Sequence, residues 1–332
     1  MVSPRRRAVI EFVLDHLVWF ILVAVVTLFS LTVPNYFQIG IFANIIEQST
    51  FVATLAIGLS LLIIAGYMDL SIESVMALAA MIIGILFAHS GVGLGISFKP
   101  EWLVVPVSLA VALAVGATVG ATNAFFVVRL KMNAFIVTLA AYIWGRGLVV
   151  ALSGGRSAQE MPGALRVLAI ERFLSVPLIA WVSILTTLAF AFILRRTPFG
   201  RHLLLVGGNA TAAYRAGIRV DRLTTITFII AGATAGLAGW LLAIRTSGAT
   251  ANLGVGMLFQ TFAAVVIGGV SLKGGVGSLT GVYAGVLLLS SIQTAINLMG
   301  MPAHYTQLIQ GGMVLTAVLL DTIKLSIRKK LA

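Results

Sequence analysis

The sequence contains no cysteine and few charged residues. With no Cys among 332 residues, disulfide bonds and thiolate metal sites are excluded. Only 10% of the residues are charged, whereas an average soluble domain carries about 25%. The four histidines, His16, His89, His202 and His304, lie far apart and lack the spacing of metal ligands. We therefore expect no metal site and no soluble enzyme.

Long apolar runs dominate what remains. Apolar residues make up 60% of the chain, and the mean hydropathy is +1.08. A transmembrane helix needs about 20 mostly apolar residues, and the runs do not alternate as barrel strands do. We predict an all-α polytopic membrane protein, a single transmembrane domain over residues 1–332. Its ten predicted spans are 17–33, 43–65, 70–89, 102–128, 134–152, 173–194, 223–244, 254–270, 279–299 and 305–323.

Acidic residues are scarce, so the net charge is +12. In a soluble protein this surplus would suggest nucleic acid, but in a membrane protein it reports orientation, because cytoplasmic loops are rich in Lys and Arg. With the N-terminus in the cytoplasm, 16 of the 22 basic residues fall inside; the others are Lys99, Arg146, Arg156, Arg166, Arg172 and Arg245. Ten crossings then return the C-terminus to the cytoplasm, and no nucleic-acid partner is expected. No small-residue cleavage site follows the first span, so we expect it to be retained.

Polar side chains within the spans are the candidates for a translocation path, since they are costly in a membrane. Amides both donate and accept hydrogen bonds, which suits sugar or polyol hydroxyls. The alternative is interhelical hydrogen bonding, at about 0.6 kcal/mol each. The candidate path residues are Glu47, Gln48, Asp69, Ser71, Glu73, Asn123, Gln260, Gln293 and Asn297.

Three of these candidates and one arginine also have local explanations. Asp69 is predicted to be the N-cap of the third span, with Glu73 in its first turn, where negative charge is favourable. Ser71 lies in the same turn. Arg146 is predicted either to snorkel at an outer helix end or to pair with an acid that the sequence does not identify.

Three spans contain glycines four residues apart, a spacing that lets helix backbones approach closely in lipid. We expect these glycines to pack helices within one bundle, with subunit dimerisation as the alternative. The pairs are Gly116 and Gly120, Gly232 and Gly236, and Gly281 and Gly285.

The longest predicted inner loop, residues 195–222, is here called the docking loop. Asn209 is a good N-cap and Gly217 a good residue to end a helix, so a short helix is predicted between them. Its basic residues suit either a lipid surface or a cytoplasmic partner. The sequence has no Walker A arrangement around Lys273, so any ATP hydrolysis is expected on another subunit and this chain is not predicted to be an enzyme.

Several motifs resemble those of bacterial ABC importer permeases for ribose and related monosaccharides. Residues 63–74, IIAGYMDLSIES, are similar to the family's G-G-I-D-L-S-V-G-S stretch. The docking loop contains TPFGR, VGGNA and AGI, which resemble T-x-x-G-R, G-G-N and x-G-I. Residues 264–277, AVVIGGVSLKGGVG, resemble A-V-V-x-G-G-x-S-L-x-G-G-x-G, and PNYF (34–37) and NAFIVTL (133–139) match too. The motifs occur in family order from about residue 30 to 325.

The resemblance implies an inner-membrane importer permease that works with a cytoplasmic ABC ATPase, a periplasmic sugar-binding protein and a second permease copy, identical or not. ATP and Mg²⁺ would bind the ATPase, so this chain would bind no cofactor. The docking loop would contact the ATPase through Arg201, Gly207, Gly208, Asn209, Arg215, Gly217 and Ile218. The chain departs from the family where Gly66-Tyr67-Met68 and Glu73 replace flexible glycines, which leaves the particular sugar open.

Two alternatives remain at this point. The same machine could import nucleosides or an autoinducer-type sugar derivative. An ion-coupled secondary transporter would instead use Asp69 or Glu73 as a proton site, although the acids lie at a helix start rather than in mid-span.

Overall fold

The computed structural model describes residues 4–302 continuously, and isolated positions between 305 and 319. The tenth predicted span, 305–323, lies outside the continuous part. Within residues 4–302 the helices are α1 (Pro4–Thr32), α2 (Ile39–Ile64), α3 (Ile72–Phe87), α4 (Val104–Ala124), α5 (Ala134–Ser153), α6 (Gly163–Ile170), α7 (Leu178–Arg196), α8 (Pro198–Gly208), α9 (Ala210–Arg215), α10 (Val220–Arg245), α11 (Met257–Ile267) and α12 (Leu279–Leu298).

Each of the first nine predicted spans overlaps one of these helices, although the sixth (173–194) begins before α7 and the eighth (254–270) extends beyond both ends of α11. In the described part of the chain, six helices are long and apolar enough to cross a membrane: Ile39–Ile64, Glu101–Arg129, Ala134–Ser153, Leu178–Arg196, Val220–Arg245 and Leu279–Leu298. Three apolar helices are shorter: His16–Thr32, Ile72–Phe87 and Met257–Ile267. The fourth span is extended by a 3₁₀ turn at Glu101–Leu103 and a π-helical turn at Phe125–Arg129. The chain is therefore a helical, polytopic membrane protein.

α10 lies at the centre of the bundle and packs on α2, α3 and α4. Its contact with α4 depends on the predicted glycines, because a methyl group added at Gly116 or Gly120 would collide with the backbone of α10 at Gly232 or Phe228. In lipid, such close backbone approach replaces the hydrophobic effect as the main source of helix association. Gly281 and Gly285 pack in the same way on Gly268 and Ala264. The three glycine pairs thus pack helices within this chain, as predicted.

Short strands tie together the segments that follow three of the helices. β1 (Ser90–Gly91), β2 (Ala158–Gln159) and β5 (Gly248–Ala249) form an antiparallel sheet in the order β1-β2-β5. They follow α3, α5 and α10, so the C-terminal ends of these helices lie on one side of the bundle. β3 (Arg172–Phe173) and β4 (Val176–Pro177) form a hairpin before α7. The predicted outer loops include those after the third, fifth and seventh spans, and the three strands of this sheet follow the helices of those spans.

The sequence patterns missed two short helices. α6 lies in the segment between α5 and α7. α8 lies within the docking loop, where Thr197 is the N-cap and accepts the N–H of Gly200, with Pro198 in the first turn. Thr-Pro is a recognisable helix start, so this second helix of the docking loop had a local signal.

Candidate functional site

Three amides predicted for the path surround one cavity. The cavity has a volume of about 260 Å³ and is lined by Gln48, Phe51, Val52, Leu242, Met257, Gln260, Val286, Leu289, Ser290 and Gln293. We call it the amide cavity. The lining comes from α2, α10, α11 and α12, and it contains no charged side chain. Three amides and one hydroxyl on an apolar wall are typical of sites that recognise neutral ligands through hydrogen bonds.

Two further polar side chains adjoin the amide cavity without lining it. Gln48 donates a hydrogen bond from Nε2 to Asn44 Oδ1 at 2.5 Å, and Gln293 donates to Asn297 Oδ1 at 3.1 Å. Asn44 and Asn297 are exposed. Exposed amides are not expected to face lipid, where polar groups lack partners. Asn44 lies near the start of α2 and Asn297 near the end of α12, so this side is expected to face water, polar lipid head groups or another protein chain.

Three other predicted path residues form a closed group, here called the buried polar network. Asp69 Oδ1 accepts hydrogen bonds from the backbone N–H (2.7 Å) and the hydroxyl (2.6 Å) of Ser71. Asn123 Nδ2 donates to the Ser71 hydroxyl at 3.0 Å. All three side chains are buried. Because these buried side chains hydrogen-bond to one another, this group fits the interpretation as interhelical hydrogen bonding.

The start of α3 differs from the prediction. Asp69 is not its N-cap: the helix begins at Ile72, and Ser71 occupies the N-cap position. Asp69 instead closes the turn before the helix by accepting from Ser71, two residues ahead, as Asp side chains commonly do. Glu73 lies in the first helical turn, as predicted.

Glu73 has the partners that the sequence left unidentified. Its Oε1 lies 2.5 Å from Arg146 Nη2 on α5, and its Oε2 accepts the backbone N–H groups of Gly256 (3.0 Å) and Leu258 (2.9 Å) at the start of α11. Arg146 also donates to the carbonyl of Leu253 at 2.9 Å. Glu73 is 1% exposed. Arg146 therefore forms a buried ion pair rather than snorkelling to a helix end.

Glu47 is likewise paired rather than directed into the amide cavity. It forms ion pairs with Arg245, the last residue of α10, and with Arg172 of β3, whose Nη2 lies 3.7 Å from Glu47 Oε2. Glu47 is buried, whereas the two arginines are about half exposed. The adjacent residue, Gln48, lies on the cavity side of α2.

The docking loop contains the predicted short helix, α9. Asn209 is its N-cap and accepts the N–H of Ala212 at 2.9 Å. Gly217 adopts φ +85°, and Ile218 donates its N–H to the carbonyl of Ala213 at 3.1 Å. This is the left-handed helix termination for which glycine is favoured. Arg201, Gly208, Asn209 and Arg215 are exposed, and Gly207 and Ile218 are partly buried.

Large apolar side chains are also exposed on the docking loop. Tyr214 is 72% exposed and Leu205 is 57% exposed. Beside them, a cavity of about 320 Å³ is lined by His202, Ala216, Gly217, Ile218, Arg219, Arg222, Leu223 and Ile226. A surface that combines an exposed Tyr, arginines and a cavity has the composition of protein interfaces. Tyr214 was missed because sequence periodicity in a six-residue helix does not define which side is covered.

The docking loop contacts the segment that follows α11. Gly275 donates its N–H to the carbonyl of Ile64 at 2.8 Å. A side chain at Gly274 would lie 2.8 Å from the carbonyl oxygen of Gly207, and one at Gly275 would lie 2.8 Å from the Cα of Gly208. We call Gly207, Gly208, Gly274 and Gly275 the glycine contact. A side chain at Gly207, Gly274 or Gly275 would meet backbone atoms, so α8 and the segment after α11 pack closely.

The helical bundle, the amide cavity and the exposed docking loop fit a membrane transport protein. A family model described as "Branched-chain amino acid transport system / permease component" matches residues 41–318. The chain belongs to this family of transport permeases.

Curated relatives agree with that assignment over most of the chain. The chain is 34% identical to the L-arabinose ABC transporter permease protein AraH of Azospirillum brasilense, over 88% of this chain and 83% of the relative. It is 31% identical to the ribose import permease protein RbsC of Escherichia coli (strain K12), over 97% and 98%. It is also 31% identical to the autoinducer 2 import system permease protein LsrC of Yersinia pestis (strain Pestoides F), over 90% and 83%. No solved structure matches the chain.

Proposed function

We propose that the chain is the permease subunit of an ABC importer that translocates a monosaccharide or a related polyol or sugar derivative. The observation that supports this most directly is the amide cavity, where Gln48, Gln260 and Gln293 offer donors and acceptors beside an apolar wall. Sugars present the complementary surface, with hydroxyls at their edges and C–H groups on their faces. Relatives named for arabinose and ribose import support the same substrate class.

The permease domain spans residues 1–332 and crosses the bacterial inner membrane ten times, with both termini in the cytoplasm. The sheet that joins the segments after α3, α5 and α10 supports the alternation. So does the glycine contact, which brings together the ends of α2, α8 and α11 on the opposite side.

The docking loop binds a cytoplasmic ABC ATPase. Its contacts are Arg201, Gly207, Gly208, Asn209, Arg215, Gly217 and Ile218, and the exposed Tyr214 adds an aromatic anchor. ATP and Mg²⁺ bind the ATPase, and this chain binds no cofactor. A periplasmic sugar-binding protein delivers the substrate from the other side.

A second permease copy, identical or homologous, packs against the side of α2 and α12 that exposes Asn44 and Asn297. The path then runs beside the amide cavity, between the two copies. Of the predicted path residues, Gln48, Gln260 and Gln293 contact the substrate, and Asn297 orients Gln293. Asp69, Ser71, Asn123, Glu47 and Glu73 support the helices around it.

An autoinducer-type sugar derivative is the second candidate substrate, favoured by the similarity to LsrC. Thermal-shift screening of the cognate binding protein with pentoses, hexoses and the autoinducer distinguishes the two. Stabilisation by the autoinducer alone would replace the monosaccharide proposal.

Reconstitution in liposomes tests the proposed machine. We expect sugar uptake to require ATP, the ATPase and the binding protein together. Uptake that is driven by a proton gradient without the ATPase would contradict the proposal. Because the chain lacks cysteine, Tyr214→Cys introduces a single thiol that we expect to cross-link to the ATPase, whereas Phe173→Cys, an exposed position on the opposite side, is expected not to.

A further inference from the structure

α11 is too short to cross the membrane by itself, so the non-helical residues beside it complete the eighth crossing. At 1.5 Å per residue, its 11 residues extend about 16 Å, roughly half the thickness of the hydrocarbon core. It begins at Met257 after a run of turns that descends beside α3, where Gly254 packs against Met76. The amides at the start of this helix therefore lie inside the protein, and backbone groups at membrane depth require partners.

Glu73 supplies those partners. One carboxylate oxygen accepts the N–H groups of Gly256 and Leu258, and the other pairs with Arg146. Arg146 in turn donates to the carbonyl of Leu253. One buried ion pair thus holds both ends of the turn that precedes α11. The negative charge also lies at the positive end of the helix dipole.

The two ends of α11 reach the two functional regions described above. Near its N-terminus, Met257 and Gln260 line the amide cavity. Beyond its C-terminus, Gly274 and Gly275 pack against Gly207 and Gly208 of the docking loop. A movement of α8 on ATPase closure would push on the segment after α11 and, through α11, on Gln260. This requires that the N-terminus of α11 stays fixed to α3.

We infer that Glu73 is a positioning residue that couples the docking loop to the amide cavity by fixing the start of α11. It contacts neither the substrate nor the ATPase. This inference rests on the proposed function. It adds that α11 is the element that connects the docking loop to the amide cavity. It also gives a role to the acid that replaces a glycine of the family motif.

The test uses the full importer in liposomes, with its ATPase and binding protein. We expect Glu73→Gln to lower sugar uptake at least tenfold while ATP hydrolysis stays above half of the original rate, so that the sugar transported per ATP falls. Glu171→Gln removes an exposed acid in the segment before α7 and is expected to leave the ratio unchanged. If Glu73→Gln lowers uptake and hydrolysis in proportion, the coupling role is wrong.

Two double variants keep the test independent of folding. Glu73→Gln with Arg146→Gln removes the unpaired arginine, so it is expected to restore the protein level but not the sugar-per-ATP ratio. Glu73→Arg with Arg146→Glu preserves an ion pair but places a cation at the start of α11, so it is expected not to restore the ratio. Recovery of the ratio in either double variant would overturn the inference.

A spectroscopic readout distinguishes coupling from a general structural role. Val255→Cys provides a single thiol at an exposed position just before α11. Because Glu73 holds this turn, the reaction rate of the thiol with a water-soluble maleimide is expected to be the same in the ATP-bound and nucleotide-free importer, and to differ between the two states with Glu73→Gln. Rates that differ between the two states with Glu73 present would overturn the inference. If the original importer shows no ATP-driven sugar uptake, the proposed function fails; if it does and Glu73→Gln couples normally, only this inference fails.

Discussion

The amide cavity and the buried polar network use similar residue types in opposite ways. In the network, the buried Ser71 donates to Asp69 and accepts from Asn123. Around the cavity, Gln48, Gln260 and Gln293 come from different helices and leave a space between them. Polar residues within the spans are therefore not one class. Those of the network are buried and hydrogen-bond to one another, whereas those of the amide cavity border a space between helices.

The largest effect is expected from Asp69→Leu. The variant removes the acceptor of both Ser71 groups, and each buried unsatisfied polar group costs about 1–3 kcal/mol. We expect a severe loss of folded permease in the membrane, measured by fluorescence-detected size-exclusion chromatography. Asp69→Asn keeps a side-chain oxygen and is the matched control. Normal levels of the Leu variant would show that the network is not structural.

A smaller effect is expected from Gly217→Val, which we expect to uncouple ATP hydrolysis from uptake. Gly217→Val forces a β-branched residue into the left-handed conformation, which costs about 1–2 kcal/mol even for an ordinary residue. The end of α9 would then shift, and we expect the ATPase to lose its stimulation by the loaded binding protein. Gly40→Ala, in α2 and outside the docking loop, is a matched control, because an added methyl group there meets no atom within 4 Å and its φ is not positive. Unchanged stimulation in Gly217→Val would contradict the docking assignment.

Gln260→Leu tests the amide cavity, the second of the two regions compared. The loss of one hydrogen bond of about 0.5–1.5 kcal/mol to the substrate predicts a two- to tenfold rise in the apparent KM for uptake. The amount of folded protein is expected to stay normal, in contrast to Asp69→Leu. Gln38→Leu changes an exposed glutamine outside the cavity and serves as control. An unaltered KM would show that the amides of the cavity have a structural role, like the residues of the buried polar network.

The smallest effect is expected from Asn297→Leu. Asn297 does not line the amide cavity, and it acts only by accepting a hydrogen bond from Gln293. Loss of this neighbour is expected to lower uptake about twofold, because an interhelical or local hydrogen bond in a membrane protein is worth about 0.6 kcal/mol. An effect as large as that of Gln260→Leu would place Asn297 on the path itself.

Local signals predicted a good part of this molecule. The apolar runs located nine of the helices, and Asn209 with Gly217 located α9, because capping depends on residues a few positions apart. The glycine pairs also predicted close helix packing correctly. The partners of Glu73 were out of reach: Arg146 and the start of α11 are far from it in sequence, and no pattern of spacing specifies which helices meet. Sequence patterns likewise could not predict that Gln260 lines a cavity whereas Asn123 is buried in a hydrogen-bonded network, because both placements depend on how the helices assemble.

The ion pair between Glu47 and Arg245 has a consequence for biosynthesis. Glu47 belongs to α2, whereas Arg245 ends α10, which leaves the ribosome much later. Until α10 has been inserted, the carboxylate of Glu47 has no partner from that helix and stays costly in an apolar surrounding. In a nascent chain arrested before α10, Arg172 is the only one of the two arginine partners of Glu47 present to neutralise it, and completion of α10 adds Arg245 as the second cation.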